Sequence, residues 1–155
     1  MEINTEKINM GPAELDWLAS ALTLSVPLAE KPALKKIISG MAHIELFEYP
    51  SGVEIIKEGE EGRDFFVVYS GRLSVKKTLG VEPEEIGRLG KGDFFGEMGF
   101  LLSVPRSATV RTEEKCRVFR FEAQELAAVL SGHKALEARI KEVAMERLAK
   151  TFRDI

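Results

Sequence analysis

The residues best suited to ligand chemistry lie in one segment, Phe94 to Arg111, which reads FFGEMGFLLSVPRSATVR. Two glycines in it, Gly96 and Gly99, stand on either side of Glu97. Because glycine has no Cβ, backbone N–H groups at these positions can approach a ligand closely. Arg106 follows a proline and adds a fixed positive charge, with a planar fork of donors that suits two phosphate oxygens. These residue types predict an anion-binding site.

The presence of Glu97 beside the predicted anion site restricts which anionic ligands the site could bind. We expect a short helix after the glycine turn, whose N-terminus offers unpaired N–H donors and the positive end of the helix dipole. A carboxylate in this place would repel an anion unless it points at hydroxyl groups. A nucleotide held by its sugar–phosphate end has a phosphate and a free hydroxyl side by side. Taken singly, Glu97 also fits an acid in the first turn of a helix, and Arg106 also fits a surface residue after a turn.

The stretch GEMGFLLSVPRSATV resembles the phosphate-binding cassette of cyclic nucleotide-binding domains, found in catabolite-activator-like regulators, cyclic-nucleotide-dependent kinases and gated channels. The family pattern is roughly FGE, a small residue two positions later, an apolar helix, PR, a small residue and ATV. A second match, SGVEIIKEGEEGRDFFVVYSGRLSV, precedes the cassette and echoes the family's glycine-rich strand region. The residues that match the cassette are Phe95, Gly96, Glu97, Gly99, Pro105, Arg106, Ser107, Ala108, Thr109 and Val110.

The resemblance implies a role for several of these side chains. Glu97 would accept a hydrogen bond from the ribose 2′-hydroxyl, and Arg106 would pair with the cyclic phosphate. Backbone N–H groups at Gly99 and Ser107 would complete the phosphate cradle, with the Ser107 hydroxyl as a further donor. Arg147 is a candidate for stacking on the base, because arginine planes stack on aromatic rings. The predicted ligand-binding residues are Gly96, Glu97, Met98, Gly99, Arg106, Ser107, Ala108 and Arg147; we predict no catalytic and no metal-binding residue.

The segments before and after the cassette alternate as strands do. We expect strands at 43–49, 53–57, 64–70, 72–77 and 84–89, and a hairpin formed by 107–112 and 115–121. Short strands between glycine turns predict an antiparallel β-roll, jelly-roll-like in type. In this hairpin we expect Val110, Val118 and Phe121 in the core, and Cys116 as a small hydrophobic strand residue.

Helical periodicity appears at both ends of the chain. Residues 1–11 read as a loose arm, Pro12 starts a first helix, residues 25–31 connect, and Pro32 to Ser39 forms a second helix. After a helix at Ala123 to Leu130, a long amphipathic helix is expected to about Phe152. Its apolar stripe comprises Leu136, Ile140, Val143, Ala144, Leu148 and Phe152.

That stripe has three interpretations: it caps the pocket, packs on the N-terminal helices, or forms a homodimer. In the family the helix swings onto the base when ligand binds. We therefore predict an α+β fold in one domain: N-terminal arm and helices at 1–42, the cyclic nucleotide-binding β-roll at 43–121 with its cassette at 95–110, and C-terminal lid or output helices at 122–155.

Composition limits the function classes. The chain has 155 residues and a formal net charge of −3, which suits one globular domain and argues against nucleic acid as a main partner. Its single cysteine cannot form an internal disulfide. The sequence has no apolar stretch long enough to span a membrane, and its first residues lack the basic segment followed by an apolar one that marks a signal peptide. We expect a cytoplasmic protein. Since the sequence ends at Ile155, directly after the long helix, we expect no helix-turn-helix and no transcription factor.

The leading hypothesis is a sensor that binds cyclic AMP or cyclic GMP and signals through its C-terminal helix to a protein effector. Ser107 favours cyclic AMP, since family sites for cyclic AMP often have Ala or Ser there and cyclic GMP sites often have Thr. A metal-dependent enzyme on a similar roll is disfavoured, because the two histidines, His43 and His133, lie far apart in sequence. A degenerate domain that only binds protein is the remaining alternative, although it would be expected to lack the Glu or the Arg of the cassette.

Overall fold

A computed structural model of the protein describes residues 5–22 and 31–153. The predicted connection at 25–31 lies outside the described residues except for Lys31, which begins a helix, and the side chains of Leu148 and Phe152 also lie outside them. The helices are α1 Pro12–Leu22, α2 Lys31–Ser39, α3 Glu97–Leu102, α4 Ala123–Ser131 and α5 Lys134–Arg153. The strands are β1 Glu6–Ile8, β2 Ile44–Tyr49, β3 Glu54–Ile56, β4 Phe65–Ser70, β5 Leu73–Thr78, β6 Pro83–Leu89, β7 Phe94–Phe95, β8 Thr109–Thr112 and β9 Cys116–Phe121.

These strands form two antiparallel sheets that face each other as a roll. One sheet has the order β1-β2-β9-β4-β7, and the other has the order β3-β8-β5-β6. Helices cover the outer face of the five-stranded sheet, so its central strands β4 and β9 carry buried residues on both sides. This is the predicted α+β architecture, an antiparallel β-roll with a short cassette helix (α3), flanking N-terminal helices and a long C-terminal helix.

The predicted hairpin between 107–112 and 115–121 is wrong. Both segments are strands, but β8 pairs with β3 and β5 whereas β9 pairs with β2 and β4. The short connection between them crosses from one sheet to the other. Its crossing is fixed by hydrogen bonds to distant backbone: the Glu113 N–H donates to the Arg72 carbonyl, and the Thr112 hydroxyl donates to the Pro50 carbonyl.

The expected loose arm at 1–11 is also partly wrong, because it contains β1. This strand pairs with the edge of β2, where Ile8 lies opposite Leu46 and Lys7 opposite Phe47. Ile8 packs against the main apolar cluster, and Lys7 forms an ion pair with Glu45 at 3.4 Å. Three residues are too few to show a period, so the edge pairing could not be predicted from local pattern.

Two apolar clusters lie on opposite faces of the five-stranded sheet. Ile44, Leu46 and Phe119 point toward the helices, where Trp17 of α1 stacks on Phe119 at 6.0 Å between ring centroids. The other face fills the roll interior, which includes the buried Cys116. On β2, Ile44 and Leu46 are buried on the helix side, whereas the partly buried Tyr49 packs against the cluster inside the roll. The three predicted hairpin core residues, Val110, Val118 and Phe121, are all buried.

The apolar stripe of α5 packs inside the chain. Leu136, Ile140 and Ala144 are buried in the helix-side cluster or beside it. Leu136 and Ile140 share a cluster with Leu18 and Ile38 of the N-terminal helices, and α5 also lies against α3 and α4, so the contacts support packing within the chain. A homodimer through α5 stays a prediction. Glu137 and Lys141, four positions apart on the flank of α5, form an ion pair at 2.8 Å. Within residues 5–22 and 31–153, no helix combines the length and apolar character needed to cross a membrane.

Helix α4 begins at a small cluster of charged groups. The Glu122 side chain caps the helix by accepting from the N–H groups of Gln124 and Glu125. Glu125 in turn accepts from the backbone N–H of His43 and contacts its Nδ1 at 2.5 Å. The carboxylates and the imidazole lie within 4.8 Å of one another, an arrangement that could hold a metal ion, but each already has a hydrogen-bond partner in the chain. The cluster is explained as a helix cap tied to the start of β2.

We expect this cluster to make stability depend on pH. The hydrogen bond and the charge of Glu125 raise the pKa of His43 above its usual value. A raised folded-state pKa stabilises the fold below about pH 6.5, and the contribution is lost as pH rises through the folded pKa. His43→Gln should therefore lower the unfolding midpoint at about pH 5 and have less effect at about pH 9, as measured by thermal denaturation.

His133→Gln is the matched control, since the His133 side chain makes no hydrogen bond or ion pair with the described residues. If His43→Gln lowered the midpoint equally at both pH values, the pair with Glu125 would contribute no proton-linked stability.

Candidate anion site in the cassette

The cassette begins with a left-handed glycine and a buried glutamate. Gly96 has φ 84° at the N-cap of α3, a conformation that other residues rarely adopt. Glu97 opens the helix and is only 4% exposed, and Met98 and Gly99 follow it. Cβ atoms at Gly96 and Gly99 would lie 2.7 Å from the Asp64 carbonyl and 2.4 Å from the Gly62 carbonyl. Both glycines are thus needed for the β3–β4 loop to lie against the cassette.

Gly99→Ala should destabilise the protein, because the new methyl group would overlap a backbone oxygen that no rotamer change can move. Overpacking of this kind costs about 1–3 kcal/mol, which lowers the unfolding midpoint by roughly 2–12 °C for a chain of this size. Thermal denaturation tests it. Gly80→Ala is the control, since no atom lies within 4 Å of its Cβ position; equal midpoints for the two variants would contradict the proposed crowding.

Arg106 lies buried at the centre of the site, 7% exposed. Its two terminal nitrogens donate to the carbonyls of Gly96 at 3.3 Å and Asp64 at 3.1 Å. The guanidinium lies over the Phe66 ring, 5.9 Å from its centroid, and Gly62 leaves it room: a Cβ there would be 2.9 Å from Nε. The side chain is therefore held in one orientation before any ligand binds.

The charge of Arg106 is not neutralised by an ion pair within the described part of the chain. Among the described residues, no carboxylate lies within the 4.0 Å of an ion pair with it, although Asp64, Glu60 and Glu97 act on it from further away. Burial lowers the pKa of the guanidinium, and those carboxylates partly offset the effect. Buried charges are normally paired, because desolvation is costly. Arg106 still has unused N–H donors, so the arrangement suits an anion.

Glu97 is paired with the C-terminal helix. Its Oε2 lies 2.8 Å from a terminal nitrogen of Arg147, which is 34% exposed in its side chain. The Arg147 guanidinium also lies over the Phe94 ring, 5.2 Å from the centroid. The structure brings Arg147 to the cassette and places it against Glu97 and Phe94. Stacking of Arg147 on a base stays a prediction.

The last two predicted residues lie just after Arg106. Ser107 is exposed and Ala108 is buried. The loop between β3 and β4 pairs with this segment, because the Gly59 N–H donates to the Arg106 carbonyl and the Arg106 N–H donates to the Glu60 carbonyl, both at 2.8 Å. From β5, the Lys77 ammonium donates to the Ser107 carbonyl at 2.6 Å. All eight predicted residues therefore lie on the cassette or reach it.

A cleft of about 440 Å³ opens on the side of Arg106 that faces β2 and β3. Of the predicted residues, only Arg106 contributes to its wall, so the cleft is beside the cassette and does not contain it. Burial raises the pKa of Tyr49 in this wall to about 12, which keeps the phenol neutral. The lining residues are Phe47, Tyr49, Ile55, Ile56, Lys57, Glu60, Glu61, Gly62, Asp64, Phe66, Arg106 and Arg120.

Sequence reasoning missed the residues that support Arg106. Asp64, Phe66 and Gly62 all come from the segment that matches the family's strand region, and that match was the one signal for them. Their contacts with Arg106 span about forty positions and leave no local pattern. Lys77 was likewise missed, because a lysine in a strand is ordinarily a solvated residue.

Comparison with known proteins agrees with the fold and the cassette. The family described as "Cyclic nucleotide-binding domain" matches residues 46–133. A cAMP-dependent protein kinase regulatory subunit from Mycosarcoma maydis is 38% identical over 87 residues, which are 56% of this chain and 17% of that subunit. This chain thus spans about a sixth of the length of that relative.

Two solved structures share the fold. A cyclic nucleotide-binding domain from Methylobacillus flagellatus superposes with a TM-score of 0.76 at 16% identity, covering 97% of this chain and 85% of that one. The regulatory domain of Toxoplasma gondii PKA, solved with cAMP, superposes with a TM-score of 0.69 at 22% identity, covering 88% and 50%. The match to the family spans more than half of the sequence and includes the cassette, and the chain belongs to the cyclic nucleotide-binding domain family.

Proposed function

We propose that this chain is a regulatory sensor that binds a cyclic nucleotide in its β-roll, cyclic AMP in preference to cyclic GMP. One observation carries the proposal: Arg106 is buried, oriented by two carbonyls and without an ion-paired carboxylate among the described residues. A phosphate diester would supply the missing charge and accept a forked pair of hydrogen bonds. A regulatory role fits the family better than catalysis does.

The ligand would be held at both ends of its sugar–phosphate unit. Arg106 binds the cyclic phosphate, with N–H groups of Gly99 and Ser107 completing the cradle. Glu97 accepts from the ribose 2′-hydroxyl. An ionised carboxylate offers about four acceptor sites, so Glu97 has acceptor sites for the ribose besides the one that faces Arg147. Gly96, Met98 and Ala108 line the same segment and shape the approach of the ligand.

The output would pass through α5. Arg147 extends from this helix to the carboxylate that receives the ribose, and α5 lies against α3. A ligand that changes the geometry of Glu97 therefore changes the docking of α5 directly. We propose that this movement, with Arg147 turning onto the base, presents a surface to a protein effector in the cytoplasm. Which nucleotide is bound rests on Ser107, whose type favours cyclic AMP.

The test is thermal unfolding of the purified protein with cyclic AMP, cyclic GMP and AMP. A ligand at about a hundred times its dissociation constant stabilises the native state by roughly 2.7 kcal/mol, which is a shift of several degrees at about 2–4 °C per kcal/mol. A shift with a cyclic nucleotide and none with AMP is the expected result. No shift with either cyclic nucleotide would contradict the proposal and favour the protein-interaction module.

A further inference from the structure

Lys77 carries a positive charge on the inner face of the roll, close to the cassette. Side chains alternate along a strand, so Lys77 shares a face of β5 with Val75. Val75 packs against the apolar cluster that fills the roll interior. Lys76, between them, faces the other way: its charge acts on Glu113, which bonds to Ser74 on the outer face. Two adjacent lysines thus point to opposite sides of the sheet.

The ammonium of Lys77 is fixed by the backbone beside the anion site. It donates to the Ser107 carbonyl at 2.6 Å, and Ser107 directly follows Arg106. An ammonium has three N–H donors, and this is the one hydrogen bond that the Lys77 ammonium makes within the described part of the chain. No carboxylate among those residues forms an ion pair with it; the Glu58 carboxylate instead accepts from the Thr78 N–H at 2.8 Å. Two N–H donors and a full charge remain available.

We propose that Lys77 is a second cationic residue of the nucleotide site, whose ammonium binds the ligand's phosphate together with Arg106. This inference rests on the proposed function. The two cations would have different roles. Arg106 is buried and held in one orientation, so it would fix the position of the phosphate. Lys77 is partly exposed and has a flexible side chain, so it would contribute mainly its charge. A cyclic phosphate diester carries a single negative charge, so a site with both cations discriminates strongly against uncharged nucleosides.

The experiment measures the dissociation constant of cyclic AMP, by calorimetry, for the wild type, Lys77→Met and Lys77→Gln. Glutamine keeps an N–H donor for the Ser107 carbonyl but removes the charge. Comparing it with methionine therefore separates the effect of the charge from the effect of the hydrogen bond to Ser107. We expect both variants to bind about five- to tenfold more weakly. Their affinity should also change less than that of the wild type as ionic strength rises from about 10 mM to about 1 M, where the Debye length falls from about 30 Å to about 3 Å.

Lys76→Met is the matched control and should leave both affinity and salt dependence unchanged, because Lys76 faces away from the roll interior. Lys77→Arg should restore most of the binding and its salt dependence. Unfolding midpoints without ligand establish that each variant is folded. If the wild type binds but Lys77→Met and Lys77→Gln match its affinity and salt dependence, the role of Lys77 is overturned and the proposed function stands. If the wild type itself binds no cyclic nucleotide, both fall.

Discussion

Replacing Arg106 by alanine should lower the affinity for cyclic AMP by about ten- to a hundredfold, since a hydrogen bond to a charged group contributes roughly 1.5–3 kcal/mol. The guanidinium would be the main charge opposite the phosphate, and its orientation is set in advance by the Gly96 and Asp64 carbonyls. Little ordering free energy is therefore spent on binding, so nearly all of the interaction appears as affinity. Isothermal titration of cyclic AMP into the wild type and into Arg106→Ala measures this loss of affinity.

Alanine would also remove the hydrogen-bond partners of those two carbonyls, so some loss of stability is expected alongside the loss of binding. Arg106→Lys separates the effects, because lysine keeps the charge but cannot fork to two oxygens. We expect it to bind more weakly than the wild type and more tightly than Arg106→Ala. Unchanged affinity in a folded Arg106→Ala protein would rule out phosphate binding at this position.

The local elements of this fold could be predicted because each one carries its own period. Alternation placed β2 to β6 and β8 to β9 within a few residues, and helical spacing placed α4 and α5. Strand pairing could not be predicted in the same way, because it is set by contacts between distant segments. β8 and β9 are separated by three residues, which usually means a hairpin, yet they lie in different sheets. Whether two such strands form a hairpin or lie in different sheets depends on how their side chains pack between the two sheets, which is a contact between distant segments.

In the candidate site, too, the local motif could be predicted and the contacts from distant segments could not. Gly96, Glu97, Gly99, Arg106 and Ser107 form one continuous motif, so a resemblance to a family could find them together. The contacts that give the motif its electrostatics come from elsewhere: β4 and the loop before it, β5, and α5 fifty positions beyond Glu97. Pairing of Arg147 with Glu97 is a property of how α5 docks, and nothing in the helical period of α5 specifies it.

Replacing Glu97 by glutamine should remove most of the preference for a ribose over a 2′-deoxyribose ligand, because the neutral amide oxygen of glutamine is a weaker acceptor than a carboxylate. The proposed role of Glu97 is to accept a hydrogen bond from the 2′-hydroxyl, and Glu97 is buried, so water cannot replace the contact well. Wild-type protein should bind cyclic AMP about ten- to a hundredfold more tightly than its 2′-deoxy analogue, from roughly 1.5–3 kcal/mol for a charged acceptor. The variant should bind the two ligands within a few-fold of each other.

The difference between the two ligands isolates the ribose contact, whatever else the substitution changes. Glu97→Gln also breaks the ion pair with Arg147, and that loss affects both ligands. Arg147→Met breaks the same pair but keeps the carboxylate, so it should weaken both ligands and retain the preference for ribose. Glu82→Gln, on an exposed turn, should change neither. If Arg147→Met removed the preference while Glu97→Gln kept it, the 2′-hydroxyl would be recognised from α5, and the assignment of Glu97 would be wrong.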